Sequence, residues 1–209
     1  MNAQNAESQA QVTPQRAVEM LAEGNRRFTD NQPADRDLHA QLQETRGGQW
    51  PFAAVLSCID SRVSAELVFD QGIGDIFSAR IAGNVATDEL LGSLEFACKV
   101  AGSKAVVVLG HSHCGAVKGA CDGVEMSHLT KLLSHIQPAV AATTEPADAA
   151  ERTSKNAGFV QSVAEQNVRM VVEHIAASSP VLREQRDAGE IAIVGAMYDI
   201  ETGKVTFLD

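Results

Sequence analysis

The sequence predicts an α/β protein built on a mostly parallel β-sheet, with about four parallel strands plus an antiparallel C-terminal edge strand, flanked by helices. From residue 52 onward, short apolar runs alternate with helical stretches, which is typical of parallel strands joined by right-handed crossovers. Residues 196–209 instead suggest a strand, a turn at 201–203 and a short edge strand. The four runs predicted as strands are FAAVLS (52–57), which we expect to be buried, DIFSARI (75–81), AVVVLG (105–110) and EIAIVGAMY (190–198).

The N-terminal segment is predicted to be helical after a short arm. Residues 1–12 are polar and lack apolar periodicity, so we expect a flexible arm. Thr13 followed by Pro14 is typical of a helix start, because the hydroxyl can cap the helix and proline suits its first position. The N-terminal helices, over 13–48, carry few large apolar residues, so they must pack on the sheet or on a partner subunit.

The connections between the later strands are predicted to be helices. Residues 87–102 place their apolar side chains on one helical face. Residues 126–178 are expected to be almost wholly helical, broken by Pro138 and by the polar stretch 143–151.

Composition limits the possible functions. Of 209 residues, 44% are hydrophobic and 21% are charged, the balance of a globular protein, and the length suits one domain. The 17 basic and 27 acidic residues give a net charge of −10, which argues against nucleic acid or an anionic membrane as a partner. We see no secretory signal and no apolar run long enough for a bilayer, so the four cysteines are expected to stay reduced and the expected location is cytoplasmic.

Two short motifs carry metal-binding chemistry. Cys58 follows the first predicted strand in SCIDSR, while His111 and Cys114 follow the third in GHSHCG. In a 2-1-3 strand order the carboxyl ends of these two strands meet at the switch point of the sheet, so the side chains would converge. Two thiolates and an imidazole suit zinc, and three protein ligands leave its fourth position open, as catalytic zinc sites require.

Asp60 and Arg62 stand close to the first potential ligand. A carboxylate two residues from a zinc thiolate can take the fourth position or, if held away, accept a hydrogen bond from hydroxide there. Arg62 can form a bidentate pair with the carboxylate and hold it away. The pair would therefore decide whether the metal is open.

A structural zinc site is the alternative that these residues leave open. In that case the fourth ligand would be Cys98, Cys121 or Asp60, and the site would have no room for water. An Asp-x-Arg beside the first ligand favours the catalytic interpretation, because a purely structural site has no use for such a gate.

The stretches CIDSRV (58–63) and GHSHCGAVKGA (110–120) resemble the β-class carbonic anhydrases, whose pattern is C-x-D-S-R followed by H-x-x-C. The intervening RIAGNVATDELLGSLEFA (80–97) also resembles bacterial members. The resemblance extends from about Gln49 to the C-terminus. It implies a single domain over 1–209, one Zn²⁺ per chain, and a homodimer or a dimer of dimers.

The resemblance also implies roles for eight residues. Cys58, His111 and Cys114 would bind zinc. Asp60 and Arg62 would form the catalytic dyad beside the metal. In the substrate pocket, Gln49 matches a glutamine that contacts substrate across the dimer interface in the plant-like branch of the family. Phe77 matches an aromatic of the CO₂ pocket, and Phe96 stands where that branch often has tyrosine.

One position distinguishes two branches of this family. The bicarbonate-regulated branch, which rests with aspartate on the metal, has tryptophan three residues before the first zinc cysteine. Here that residue is Val55, and the only tryptophan is Trp50. The resemblance therefore implies an open, plant-like site.

The implied function is zinc-dependent, reversible hydration of CO₂ to bicarbonate and a proton by zinc-hydroxide attack. Because two thiolates and a neutral imidazole leave the zinc site without net charge, hydration should rise towards alkaline pH. Two alternatives stay open, namely a carbonyl sulfide or carbon disulfide hydrolase on the same fold and a non-catalytic, zinc-stabilised oligomeric protein. Neither nucleic acid nor a membrane is expected as a partner.

Overall fold

A five-stranded sheet forms the centre of the protein, whose computed structural model describes residues 1–208. Its strands are β1 (Ala53–Ser57), β2 (Ile76–Arg80), β3 (Ala105–His111), β4 (Ala192–Tyr198) and β5 (Val205–Phe207). The order across the sheet is β2-β1-β3-β4-β5, with β1 to β4 parallel and β5 antiparallel to β4. The predicted mostly parallel sheet with an antiparallel C-terminal edge strand is confirmed.

Strands β1 and β3 are neighbours in the middle of the sheet and are buried along their whole length. Their register pairs Val55 with Val107 and Ser57 with Leu109. Because the two strands run in the same direction, the residues that follow them emerge at the same edge of the sheet.

Helices cover both faces of this sheet. Those of the described residues are α1 (Ala6–Ala10), α2 (Pro14–Thr29), α3 (Leu38–Thr45), α4 (Ala65–Val68), α5 (Asp88–Glu95), α6 (Gly115–Cys121), α7 (Ser127–Ser134), α8 (Gln137–Ala142), α9 (Ala157–Ser178) and α10 (Pro180–Asp187). Helix α5 continues as a π-helical segment over Phe96–Val100. Within 1–208, no helix is both long and apolar enough to cross a membrane.

Alternate residues of β1 feed two separate cores, as the two-residue period of a strand requires. Leu56 packs with apolar residues of α5, α6 and α9, such as Val168. Val55 points to the other face and packs with α2 and α4, where Leu21 and Val68 are buried. Burial on both faces explains why β1 is an uninterrupted apolar run.

Of the predicted N-terminal helices, α2 packs on the sheet, which was one of the two positions expected for them, whereas α3 contributes no residue to either core and leaves Leu38 and Leu42 exposed. The Thr13 hydroxyl accepts a hydrogen bond from the backbone N–H of Arg16 at 3.1 Å, so α2 begins as the Thr-Pro pair predicts. Ala17 and Leu21 on α2 are fully buried against the strand residues of the second core.

Residues 1–12 require a correction, because the structure shows an ordered helix, α1, where we expected a flexible arm. The Asn5 side chain caps α1, and the buried Gln9 amide donates hydrogen bonds to the carbonyl oxygens of Pro51 and Ala101, both at 2.8 Å. Hydrogen bonds from polar side chains, and not an apolar face, hold α1 in place. Hydrophobic periodicity therefore did not predict this helix.

Candidate metal centre

Three potential metal ligands converge at the carboxyl edge of the sheet. Cys58 follows β1, His111 ends β3, and Cys114 precedes α6. Their ligand atoms all lie within 4.8 Å of one another, and the two Sγ atoms are 3.9 Å apart. All three side chains are buried, with at most 3% of their surface exposed. The adjacency of β1 and β3 is what brings these residues together.

The His111 ring is oriented for ligation by its Nε2 atom. Its Nδ1 atom lies 2.9 Å from the carbonyl oxygen of Ser112, and because a carbonyl only accepts, Nδ1 carries the proton. In the neutral imidazole with this tautomer, the lone pair that a metal would bind is on Nε2. This atom is buried and has no hydrogen-bond partner within residues 1–208, a costly state that a metal ion would relieve.

The two thiols also call for a cation. Contact with Cys114 lowers the pKa of the Cys58 thiol to about 4, and the same contact, together with burial, raises the pKa of Cys114. Two thiolates only 3.9 Å apart repel each other, so one of them holds its proton unless a divalent cation lies nearby. Two soft sulfurs and one imidazole nitrogen are a donor set that fits zinc.

Asp60 lies beside these ligands but is held by Arg62. Its Oδ1 accepts hydrogen bonds from the Arg62 backbone N–H at 3.0 Å and from Nε at 2.9 Å, while Oδ2 accepts one from Nη2 at 2.7 Å. The Arg62 side chain thereby holds the pKa of the Asp60 carboxyl well below its usual range. Asp60 Oδ2 is 4.0 Å from Nε2 of His111, and Asp60 is not part of the three-residue cluster.

Known proteins are similar to this chain in sequence and in fold. The family model described as carbonic anhydrase matches residues 53–205. Carbonic anhydrase 2 of Mycobacterium tuberculosis is 32% identical over 204 residues, which cover 95% of this chain and 94% of the relative. The carbonic anhydrase of Mycolicibacterium smegmatis is 32% identical over 201 residues, with 92% of each chain covered. A solved tetrameric β-carbonic anhydrase of Sordaria macrospora gives a TM-score of 0.72 at 26% identity, covering 80% of this chain and 85% of that chain.

The chain belongs to the β-class carbonic anhydrases. Membership of the family supports CO₂ hydration as its activity and zinc as its metal. The Cys58, His111 and Cys114 cluster is where this carbonic anhydrase could hold that ion.

The other two cysteines lie outside the cluster. Within residues 1–208, the three-residue cluster is the one group with suitable metal-ligand geometry, and neither Cys98 nor Cys121 belongs to it. Burial raises the pKa of Cys98 to about 12 and that of Cys121 to about 11, so both are protonated at neutral pH. Cys98 and Cys121 therefore do not serve as the fourth ligand of a closed structural site, whereas Asp60 lies near the cluster and is held there by Arg62.

The predicted pocket residues fall in two places. Phe77 on β2 and Phe96 at the end of α5 meet edge to face, with ring centroids 6.2 Å apart. They line an open, mainly apolar cavity of about 480 Å³ together with Leu90. Gln49 is exposed in the segment between α3 and β1 and does not line this cavity.

The structure adds residues around the ligands that sequence reasoning did not assign. The Arg80 guanidinium donates to the carbonyl oxygens of Cys58 at 3.1 Å and Asp60 at 2.7 Å, which fixes the loop after β1. The backbone N–H of Gly83 donates to the Cys58 sulfur at 3.3 Å. The Gly-Asn pair at 83–84 is a turn signal that could have drawn attention to this second contact.

Proposed function

We propose that this carbonic anhydrase hydrates CO₂ reversibly to bicarbonate and a proton, using one zinc ion per chain held by Cys58, His111 and Cys114. The observation that carries the proposal is the buried, unpartnered Nε2 of His111, which shares a 4.8 Å cluster with two thiol sulfurs. When bound there, zinc lowers the pKa of a coordinated water and so supplies a hydroxide nucleophile near neutral pH.

The charges of the three ligands determine how far the pKa of the coordinated water falls. Two thiolates bring two negative charges, which cancel the charge of a divalent ion. Three neutral histidines would leave the ion with its full positive charge, which lowers the pKa of the coordinated water more. We therefore expect hydration by this enzyme to increase towards alkaline pH.

We assign Asp60 and Arg62 to a gate that keeps the fourth ligand position open, as in the plant-like branch of the family. The Arg62 side chain donates hydrogen bonds to both carboxylate oxygens of Asp60, while Oδ2 of Asp60 lies 4.0 Å from Nε2 of His111. The carboxylate is therefore fixed by Arg62 close to the proposed ligands. Held in this way, Asp60 can accept a hydrogen bond from the attacking nucleophile and orient it towards carbon.

The substrate pocket is assigned to Phe77 and Phe96 of one subunit and Gln49 of another. The two aromatic rings provide an apolar wall that suits uncharged CO₂ better than water. The exposed Gln49 amide supplies a hydrogen-bonding group that such a wall lacks.

Metal removal tests the proposed function. Prolonged dialysis against a chelator should abolish CO₂ hydration, and adding back one equivalent of zinc should restore it, because without the metal nothing in the cluster lowers the pKa of water to give hydroxide. Hydration that persists in protein shown to be free of metal would contradict the proposal. Zinc-dependent hydrolysis of carbonyl sulfide without CO₂ hydration would also contradict it and favour the related hydrolase.

We further propose that the enzyme works at least as a dimer. Strand β2 is an edge strand of the described sheet, and Phe96 packs against Phe77 on it. Phe96 and Val100, which begin and end the π-helical segment, are 50% and 71% exposed. A second copy would cover this surface and bring Gln49 to the site. Sedimentation velocity should give a dimer or a larger assembly, whereas a fully active monomer would contradict this.

The single domain over 1–209 and the cytoplasmic location also belong to this proposal. Four free cysteines, two of them in the metal cluster, support a reducing compartment, because zinc thiolates are lost when they oxidise.

A further inference from the structure

The turn that follows β2 passes through the left-handed backbone region. It is a short 3₁₀ segment, Ala82–Asn84, in which Gly83 has φ +72° and Asn84 has φ +46°. Glycine adopts this region freely and asparagine tolerates it better than most residues, so the two residues permit the turn. Because glycine also adopts many other conformations, contacts from outside the turn are needed to select this one.

Asn167 on α9 is the side chain that holds this turn from outside. Its Nδ2 donates a hydrogen bond to the carbonyl oxygen of Gly83 at 2.9 Å, and the residue is only 2% exposed. Its neighbours on the buried face of α9, such as Val163, Val168 and Val171, are apolar. An amide in this position therefore stands out from the pattern of the helix.

The close approach of α9 to the sheet allows this short side chain to reach the turn. A Cβ atom on Gly110 would lie 2.5 Å from Cγ2 of Val168, and one on Gly195 would lie 2.7 Å from Cγ1 of the same residue. Both separations are far below normal carbon contacts, so β3 and β4 need glycine where α9 crosses them.

The turn at 82–84 contacts Cys58, one of the three proposed zinc ligands. The backbone N–H of Gly83 donates to the Sγ atom of Cys58 at 3.3 Å. Hydrogen bonds to a ligating sulfur fix its direction and withdraw electron density from it, and both effects act on the metal.

We propose that Asn167 is a positioning residue of the metal centre, which holds the turn at Gly83 so that the N–H of this glycine points at the Cys58 sulfur. The proposal rests on the proposed role of Cys58 as a zinc ligand. The hydrogen bond of Asn167 goes to the carbonyl oxygen of Gly83 and not to a ligand atom, and Asn167 does not line the cavity beside Phe77 and Phe96. It therefore acts on the metal centre through Gly83.

Two variants separate this role from simple packing. Asn167→Leu removes the donor but keeps a side chain of similar volume, and Asn167→Ala removes both. The control is Asn25→Ala, since Asn25 is also a buried amide, 4% exposed, and donates to the carbonyl oxygens of Val68 at 3.0 Å and Gly203 at 2.9 Å on α2's side of the sheet. Loss of either amide leaves buried carbonyl groups unpaired and should lower stability.

The readouts are the absorption of the cobalt-substituted protein and the zinc affinity measured against a competing chelator. In both Asn167 variants we expect the sulfur-to-cobalt charge-transfer band to move to longer wavelength, because the sulfur loses a hydrogen bond. We also expect zinc affinity to fall by about 10- to 100-fold, the effect usual for outer-shell partners of metal ligands. Asn25→Ala should change neither quantity.

The two Asn167 variants and the Asn25 control distinguish a positioning role from a general loss of stability. An unchanged cobalt spectrum and zinc affinity in Asn167→Leu would overturn the proposal, and so would equal changes in Asn25→Ala, which would show a general effect of lost stability. If the wild-type protein binds neither zinc nor cobalt, the assignment of Cys58 as a ligand fails, and the role of Asn167 fails with it.

Discussion

Replacing Arg62 with alanine should abolish CO₂ hydration while one zinc ion stays bound per chain. In the wild-type structure Arg62 makes three hydrogen bonds to the Asp60 carboxylate, two of them from its side chain. Without the guanidinium, Asp60 is an ionised carboxylate beside a metal with an open position, and it should bind there. We expect a loss of at least about 100-fold in kcat/KM by stopped-flow assay, the upper end of the range for outer-shell groups.

The control for this experiment is Arg16→Ala. Arg16 also forms a forked ion pair, with Glu23 at 2.7 and 3.0 Å, but on the exposed surface of α2. Its loss should leave hydration unchanged, because exposed pairs contribute little. Wild-type activity in Arg62→Ala would refute the gate, and loss of zinc from that variant would mean that Arg62 supports the ligands and not the open position.

Replacing Cys114 with serine should remove both zinc and activity. A serine hydroxyl stays protonated at neutral pH and is a poor zinc ligand, so the site would keep only Cys58 and His111. Because a direct ligand is lost, zinc affinity should fall by more than the roughly 10- to 100-fold seen for outer-shell partners, and hydration should fall to the background rate. Zinc content by elemental analysis and stopped-flow hydration measure the two effects.

Cys121→Ser is the matched control, since Cys121 lies on the helix that follows Cys114 but outside the ligand cluster. It should keep one zinc per chain and full hydration. If Cys114→Ser retained zinc and activity, or if Cys121→Ser lost them, the proposed ligand set would be wrong.

The part of the fold that depends on local pattern was predictable. Short apolar runs separated by helical stretches predicted the parallel strands, and the turn at 201–203 predicted the antiparallel edge. The convergence of Cys58 with His111 follows from one further rule, that parallel neighbours end at the same edge of a sheet. These inferences need only short-range periodicity and known connection rules.

The contacts that depend on three-dimensional distance were not predictable from a single sequence. Asn167 and Gly83 are 84 residues apart, and nothing in a helical pattern shows which carbonyl a buried amide will reach. Helix α1 was missed for a related reason, because Gln9 binds the backbone of Pro51 and Ala101 through polar atoms. Hydrophobic periodicity records apolar burial and is blind to such anchors.

The most direct test of zinc-dependent hydration is stopped-flow CO₂ hydration by zinc-loaded protein of known metal content, scanned from about pH 6.5 to 9, where zinc-bound water ionises in such enzymes. We predict fast hydration that rises towards alkaline pH, since the two thiolates cancel the charge of the metal. One bound zinc per chain with no hydration anywhere in this range would contradict this prediction, and would mean that the metal is closed or serves another substrate.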